Sequence, residues 1–326
     1  MTSENQMIDN TASRPASWWL RVWRNQSLRT ILFMLLRIVL FVVMAYLLSK
    51  AMRWLMPFES LPPGKAMTVS GTELWLRGLR SLVPTVMAYW LLVRFVERRK
   101  VTELAPGKFL THSAVGWLVG TATLLIAAGA MAVAGAYRVQ GINSDVYLAG
   151  PLVVLGILPG ITEEIVARGI LFRVVEDGLG TWVALVISAA LFGFGHMANP
   201  NATVWSSVAI AIEAGLLLGM AYAWTRSLWF CMGLHAAWNF TQGPLLGIPV
   251  SGFELKGLLA STTQGPALLS GGEFGAEASI VTVIVCVSLA GFFTRKAIDQ
   301  GQIKPPVWRR NRKSAATPAN ATEAAA

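Results

Sequence analysis

Charged residues are scarce in this chain of 326 residues, since Asp, Glu, Lys and Arg together make up only 13% of it. A soluble domain carries roughly twice that share. Hydrophobic residues account for 54% of the chain, and the mean hydropathy is +0.55. The scarcity of charge excludes an ordinary soluble domain. It predicts a polytopic membrane protein with an all-α fold, a bundle of about eight transmembrane helices.

Cysteine is rare as well, and Cys231 and Cys286 both lie within apolar stretches. Two such residues do not make a disulfide framework, and their spacing is not that of a metal-binding knuckle. The sequence also has no P-loop, no dinucleotide fingerprint and no internal repeat. The net charge of +10 lies mainly beside the apolar segments and in the tail. We attribute this excess to topology and anionic lipid, and we expect no nucleic-acid partner.

Eight apolar segments follow a polar arm at residues 1–28, and each is close to the ~20 residues that a helix needs to cross a membrane. Within the arm, the Trp and Arg residues at 17–24 predict an interfacial helix. The loop 248–277 is rich in Gly and Ser, and residues 301–326 are predicted to be a disordered tail. The segments are 30–49, 79–96, 114–136, 147–172, 181–198, 203–224, 227–247 and 278–294.

Basic residues distinguish the two sides of the predicted bundle. They are frequent before the first segment, in alternate loops and after the last segment, so the positive-inside rule places both termini in the cytoplasm. Lys50, Arg53, Lys65 and Arg77 run against this pattern. Arg37, inside the first segment, is close enough to its basic end to extend outward. With no eukaryotic targeting signal in the sequence, we expect a bacterial inner or plasma membrane.

Two carboxylates and a guanidinium stand inside the fourth apolar segment, at Glu163, Glu164 and Arg168. An ionisable group in a membrane-spanning helix costs about 2.5–3.5 kcal/mol on insertion scales, so such groups usually face a wet interior and serve a function. Glu164 and Arg168 are i,i+4 neighbours, which predicts a mainly structural ion pair. Glu163 lies about 100° away around the helix and is available for another purpose.

Other apolar segments also contain polar residues. His196 ends the fifth segment, Glu213 lies in the sixth, and His235 and Asn239 share one helical face in the seventh. One intramembrane histidine can be a packing residue, but two of them together with Glu163 and Glu164 favour a functional site. Glu213 is open to two interpretations, a partner of that site or a structural hydrogen-bonding group.

Residue counting tests whether these side chains can meet. At a rise of ~1.5 Å per residue from cytoplasmic ends near Asp177, Gly180 and Arg226, the depths of Glu163, His196 and His235 agree to within about two helical turns. A helix tilt of ~20°, or helices interrupted at Pro159-Gly160 and Gly243-Pro244, would close the difference. We therefore expect one shared site.

The polar residues form three spaced motifs, which are Glu163-Glu164-xxx-Arg168, Phe192-xxx-His196 and His235-xxx-Asn239. In order and spacing they resemble the three motifs of the CPBP family. That family comprises intramembrane proteases, including the CAAX prenyl endopeptidases, with bacteriocin-immunity proteins as relatives. The similarity covers about residues 150–245.

The resemblance implies a catalytic core at 147–247. The apolar pattern, and not the resemblance, predicts N-terminal transmembrane helices at 29–146 and a last one at 278–300. The resemblance also implies an endopeptidase that hydrolyses a peptide bond within or near the bilayer, with membrane lipid and a peptide or membrane protein as its partners. Its catalytic base, Glu163, would act on a water held with His196.

In the same comparison, His235 and Asn239 would donate hydrogen bonds to the oxyanion, and the Glu164–Arg168 pair would support the helix that carries Glu163. A Glu with two His residues could instead bind zinc, and the family has been described both as metalloproteases and as glutamate proteases. No HExxH motif occurs and Asn239 is a poor zinc ligand. We therefore favour a mechanism without a cofactor, with zinc as the alternative.

Two other classes of protein compete with a protease. One is a non-proteolytic immunity or scaffold protein that keeps the fold, although every motif residue is present here. The other is a proton-coupled transporter, because buried Glu and His also build proton relays. The lack of an internal repeat argues against a transporter. Substrate identity is not specified by these motifs, and prenylated CAAX substrates are not expected in a bacterium.

Overall fold

The computed structural model describes residues 25–61 and 63–315, so the predicted interfacial run at 17–24 lies outside the described part. Most of the described chain is helical, and seven of its helices are long and apolar enough to cross a membrane. The protein is therefore an all-α integral membrane bundle, as its scarcity of charge predicts. These helices are α1 Gln26–Leu55, α2 Gly71–Val96, α3 Pro106–Val133, α4 Ala149–Leu179, α5 Thr181–Ala198, α6 Val204–Thr225 and α8 Ile280–Asp299.

The remaining apolar segment, 227–247, also forms a helix but has a different character. It is α7 Leu228–Phe240, which continues into the π-helical turn Thr241–Leu245. Nearly all of its residues are buried, including the polar His235 and Asn239. Packed against α3, α4 and α6, α7 is an interior helix whose polar residues face protein instead of lipid.

Two glycines of α3 allow α7 to lie in the interior of the bundle, because they let the backbones of the two helices touch. A Cβ atom at Gly116 would lie 2.2 Å from the carbonyl oxygen of Phe230, and one at Gly120 would lie 2.3 Å from that of Leu234. Small residues at four-residue spacing bring membrane helices into such close contact. The position of α7 in the centre of the bundle therefore depends on glycine, and no larger residue, at positions 116 and 120 of α3.

The expected interruptions at Pro159-Gly160 and Gly243-Pro244 are not chain breaks. Helix α4 continues past Pro159 with a π-helical turn before it, Leu152–Ile157, and another after Glu164, Ile165–Phe172. Pro244 lies within the π-helical turn that ends α7. Local π adjustments of this kind let a membrane helix accommodate proline. They also occur often at functional sites.

The loop 248–277 is more ordered than its Gly-rich and Ser-rich composition suggests. It contributes strand β2, Leu259–Thr263, which pairs antiparallel with β1, Tyr137–Ile142, in a two-stranded sheet. The Tyr137 hydroxyl donates to the Leu246 carbonyl oxygen at 2.9 Å. This sheet and its connections pack over the end of α7.

The expectation that Arg37 extends outward is wrong. Arg37 is only 6% exposed, and its guanidinium donates to Glu97 at 3.3 Å and to Asp177 at 3.0 Å. Glu97 also accepts two hydrogen bonds from Arg173, both at 2.9 Å. Partners at the ends of α2 and α4 thus neutralise this charge inside the protein, which makes burial less costly than it would be for an isolated arginine.

The tail beyond residue 301 is ordered in its described part, in contrast to the predicted disorder. The backbone N–H of Thr181 donates to the Lys304 carbonyl oxygen at 3.0 Å, and the Lys304 ammonium lies 3.0 Å from Glu176. Helix α9, Val307–Ala315, follows. Composition alone missed this order because the acidic partner of Lys304 is far away in the sequence.

The start of α1 and the C-terminal helix lie on the same side of the bundle, since the Asn311 amide donates to the Ser27 hydroxyl at 3.2 Å. Together with the basic flanks, this predicts cytoplasmic termini. Reporter fusions after Arg138 and after Arg310 should report opposite sides of the membrane, with Arg310 cytoplasmic. If both fusions reported the same side, the predicted topology would be wrong.

Candidate active site

Helices α4, α5 and α7 bring Glu163, His196 and His235 together. The Oε2 atom of Glu163 lies 4.0 Å from Nε2 of His196 and 4.0 Å from Nε2 of His235. These distances are too long for direct hydrogen bonds, but one water molecule can bridge groups at this separation. The three side chains that were expected to share a site therefore surround one position suited to a water.

His196 is held by the carbonyl oxygen of Phe192, which lies 2.8 Å from its Nδ1 atom. A carbonyl oxygen can only accept, so Nδ1 carries the proton and Nε2 of the neutral imidazole is left as an acceptor. The Phe192 ring also packs against the His196 ring, with 4.9 Å between centroids. Phe192 thus sets both the orientation of His196 and the atom that it presents to Glu163.

The predicted ion pair between Glu164 and Arg168 is present, at 2.8 Å, and both side chains are buried. The same oxygen of Glu164 lies 2.9 Å from Nδ1 of His235. Arg168 donates further to the Ala214 carbonyl oxygen of α6 at 2.8 Å. Sequence reasoning missed the contact between Glu164 and His235, because helical spacing does not show which neighbouring helix a side chain meets.

Asn239 lies one turn beyond His235 and is buried. Its Nδ2 atom donates to the Leu155 carbonyl oxygen at 2.8 Å, beside the first π-helical turn of α4. The amide has a second hydrogen that this contact does not use. Asn239 can therefore donate into the cavity while Leu155 holds it in place.

A cavity of about 160 Å³ opens among these helices, and all four of these side chains line it, namely Glu163, His196, His235 and Asn239. His112, the third histidine, is not among the lining residues, in keeping with its place at a segment edge. The rest of the wall is mostly apolar. Its low polarity strengthens electrostatic interactions between the groups that face the cavity.

A groove of about 330 Å³ runs between α4 and α5 and meets the cavity at Glu163, whose side chain is 38% exposed. The groove is lined in part by Val166 and Leu191, which are exposed on the outer surface of the bundle. A hydrophobic chain can therefore approach the site from the side. The residues shared by groove and cavity are Glu163, Phe192, His196 and Asn199.

The cavity also contains residues that the sequence motifs did not identify, above all Glu277 in the loop before α8. Glu277 accepts from the Gln242 amide at 2.9 Å, the Ser251 backbone at 2.7 Å and the Ser251 hydroxyl at 2.9 Å. Burial raises the pKa of Glu277, although these hydrogen bonds act in the opposite direction. A loop without periodicity gave no signal that would have revealed this carboxyl group.

Zinc does not fit the arrangement as it stands. Two ligands of one tetrahedral zinc ion lie about 3.3 Å apart, whereas Glu163 Oε2 is 4.0 Å from each histidine nitrogen. Among the described residues, no group of three or more His, Cys, Asp and Glu has a metal-binding arrangement. Zinc binding would therefore require these side chains to move closer together.

The fold and the cavity define a helical membrane protein with a polar centre enclosed by its long apolar helices. Residues 145–241 match the sequence model of a protein family described as type II CAAX prenyl endopeptidase, Rce1-like. This stretch includes all three motifs, so the resemblance drawn from their spacing is confirmed. No curated protein matches the chain.

Proposed function

We propose that the protein is an intramembrane endopeptidase that hydrolyses a peptide bond with a water activated by Glu163 and His196. The observation that carries this proposal is the position of Glu163 Oε2, 4.0 Å from Nε2 of both His196 and His235 at the junction of groove and cavity. The family match supports a protease fold, and the site geometry supports the choice of residues.

The tautomer of His196 supports a specific arrangement of the water. Because His196 Nε2 and the Glu163 carboxylate both accept, the water donates one hydrogen to each and directs an oxygen lone pair at the substrate carbonyl. Glu163 takes the proton as the water attacks and then delivers it to the leaving amine. General acid–base catalysis of this kind contributes about 10²–10⁴ to the rate.

In the proposed mechanism, His235 and Asn239 stabilise the oxyanion that forms. Since His235 Nδ1 donates to Glu164, its Nε2 carries a hydrogen only in the imidazolium form, which the Glu164 carboxylate stabilises. Asn239 supplies the amide hydrogen that Leu155 does not use. Together they provide two donors to a developing negative charge in a site of low polarity.

The route between α4 and α5 supports a substrate that comes from the membrane. Its apolar wall includes Val166 and Leu191, and it ends at Glu163. A peptide segment could enter sideways from the lipid without crossing the bundle, while water reaches Glu163 at the same junction. A peptide or membrane protein is therefore the substrate class that we propose.

The direct test is a cleavage assay on the purified protein in lipid vesicles, with hydrophobic membrane peptides and prenylated peptides offered separately. The wild type should cleave at least one of them, and Glu163→Ala should not. Cleavage that persists in Glu163→Ala would contradict the proposed role of Glu163. Absence of cleavage by the folded wild type across both peptide classes would favour a non-proteolytic immunity or scaffold protein.

Chelation distinguishes the metal-free mechanism from a zinc mechanism. With water held by Glu163 and His196 alone, a strong chelator should leave the rate of cleavage unchanged. The measurement is the initial rate before and after dialysis against the chelator, followed by addition of zinc. Loss of activity that zinc restores would make Glu163, His196 and His235 metal ligands instead.

Asn239→Ala should slow turnover without abolishing it. Removal of one oxyanion donor costs about 10²–10³ in kcat in a well-studied protease, because the donor acts mainly in the transition state. KM should change much less. Asn143→Ala is a matched control, since the Asn143 amide also donates to a backbone carbonyl, that of Gly257 at 2.8 Å, and Asn143 does not line the cavity. Equal cleavage rates for the two variants would show that Asn239 does not stabilise the oxyanion.

A further inference from the structure

Glu213 is a buried acidic residue that the proposed mechanism does not use. It lies in the π-helical turn Ala211–Leu216 of α6, is 1% exposed and lines the same cavity as Glu163. Neither of its carboxylate oxygens has a hydrogen-bond partner among the described residues. Burying a polar group without a partner is costly, and native proteins rarely do it. The position therefore calls for a donor from outside the chain.

The cavity wall indicates the charge of that donor. Three carboxyl groups line the cavity, those of Glu163, Glu213 and Glu277, and the described lining residues include no Lys or Arg. A wall with this composition attracts a cation and repels an anion. A substrate carboxylate placed here would meet three acidic groups, and the His235 imidazolium of the proposed mechanism is already paired with Glu164.

Glu277 is not the free acceptor, because three hydrogen bonds from Gln242 and Ser251 already satisfy it. Glu213 has none of these contacts. Apolar side chains that share the cavity wall with it include Ile210, Leu217 and Leu234. A long aliphatic stem ending in a cation matches this lining, since Lys and Arg pack their methylene groups on apolar surfaces and extend the charge to a polar partner.

We propose that Glu213 binds the ammonium or guanidinium group of a Lys or Arg side chain in the substrate. A peptide lying in the groove meets the cavity at Glu163, so one of its side chains can extend inward to Glu213 while the backbone stays beside the water. This inference rests on the proposed endopeptidase function and adds a substrate class to it, apolar peptides with a basic residue near the scissile bond.

Peptide binding can be measured without cleavage. One apolar peptide is made in three versions with Lys, norleucine or Glu at a single position, and that position is scanned along the peptide. Binding to Glu163→Gln in vesicles is compared with binding to the double variant Glu163→Gln/Glu213→Gln. At one position the Lys version should bind about 10- to 150-fold tighter than the norleucine version, as expected for a hydrogen bond to a charged group. With Glu213→Gln this ratio should fall to about one.

The controls separate binding from folding. Glutamine keeps the size of Glu213, and thermal unfolding shows whether the double variant is folded. Glu213→Asp keeps the charge and should retain part of the preference for Lys. Glu273→Gln makes the same chemical change at an exposed residue outside the cavity and should leave the ratio intact.

The outcomes also separate this inference from the proposed function. Equal binding of the Lys and norleucine peptides at every position would overturn it and leave Glu213 as a protonated packing residue. A preference for Lys that survives in folded Glu213→Gln would overturn it too. If the Lys peptide is preferred but the wild type cleaves no peptide, the cation site is supported and the endopeptidase function is contradicted. If the wild type cleaves peptides without a preference for Lys, the endopeptidase function is supported and the cation site is contradicted.

Discussion

Glu163→Gln is expected to abolish peptide cleavage while the protein stays folded. The amide keeps the shape of the side chain but cannot take a proton from water, so the general base is lost. The expected fall in kcat is at least about 10²–10⁴-fold, the usual contribution of a positioned base. Stability should change little, because the Glu163 side chain is 38% exposed and Oε2 lies 4.0 Å from the Nε2 atoms of His196 and His235, too far for direct hydrogen bonds.

The measurement compares product formation from one peptide by the wild type, Glu163→Gln and Glu273→Gln, with thermal unfolding of each. Glu273→Gln is the same substitution at an exposed loop residue and should retain full activity. Turnover by Glu163→Gln within tenfold of the wild type would rule out Glu163 as the base. A large loss of thermal stability would instead make the inactivity a folding defect.

The candidate site residues could be predicted from the sequence because ionisable groups are rare in membrane-spanning segments. In a bundle with so few charges, each ionisable group inside an apolar segment is conspicuous, and the cost of placing it there makes a functional or paired role the default interpretation. The same reasoning identifies Glu163, His196 and His235 from the sequence alone. The structure places all three around one position.

Contacts between residues distant in sequence could not be read in the same way. The prediction that Arg37 extends outward is wrong because its acidic partners are distant in the sequence. Glu97 and Asp177 lie at the ends of other helices and accept hydrogen bonds from Arg37. The same limit hid Glu277 in the loop and the contact of Glu164 with His235. Helical periodicity reports a face of one helix but not the helix that it meets.

The estimate of depth failed for a related reason. Counting from cytoplasmic ends near Gly180 and Arg226 separates His196 from His235 by about 11 Å in depth. Arg226 instead donates to the buried Glu176 at 2.6 Å, and Leu228, at the start of α7, is fully buried. Helix α7 therefore begins in the protein interior, and His196 and His235 both come within 4.0 Å of the same Glu163 oxygen.

Arg168→Ala is expected to destabilise the protein strongly, by about 3–5 kcal/mol, the usual cost of removing one partner of a buried ion pair. Arg168 is 1% exposed and binds Glu164 on its own helix and the carbonyl oxygens of Ala214 and Gly215 on α6. Without it, Glu164 is a buried carboxylate whose remaining contact is His235. Activity should fall together with stability.

Arg295→Ala provides the matched control, because Arg295 and Asp299 form an i,i+4 pair like that of Arg168, but at an exposed helix end. Exposed pairs contribute about 0.2–1 kcal/mol or less, so its unfolding temperature in detergent should hardly change. The double variant Glu164→Gln/Arg168→Met removes both buried charges and should recover much of the lost stability. It should remain poorly active, since an amide cannot stabilise the His235 imidazolium. A fully stable but inactive Arg168→Ala would contradict the structural role and place Arg168 in the chemistry.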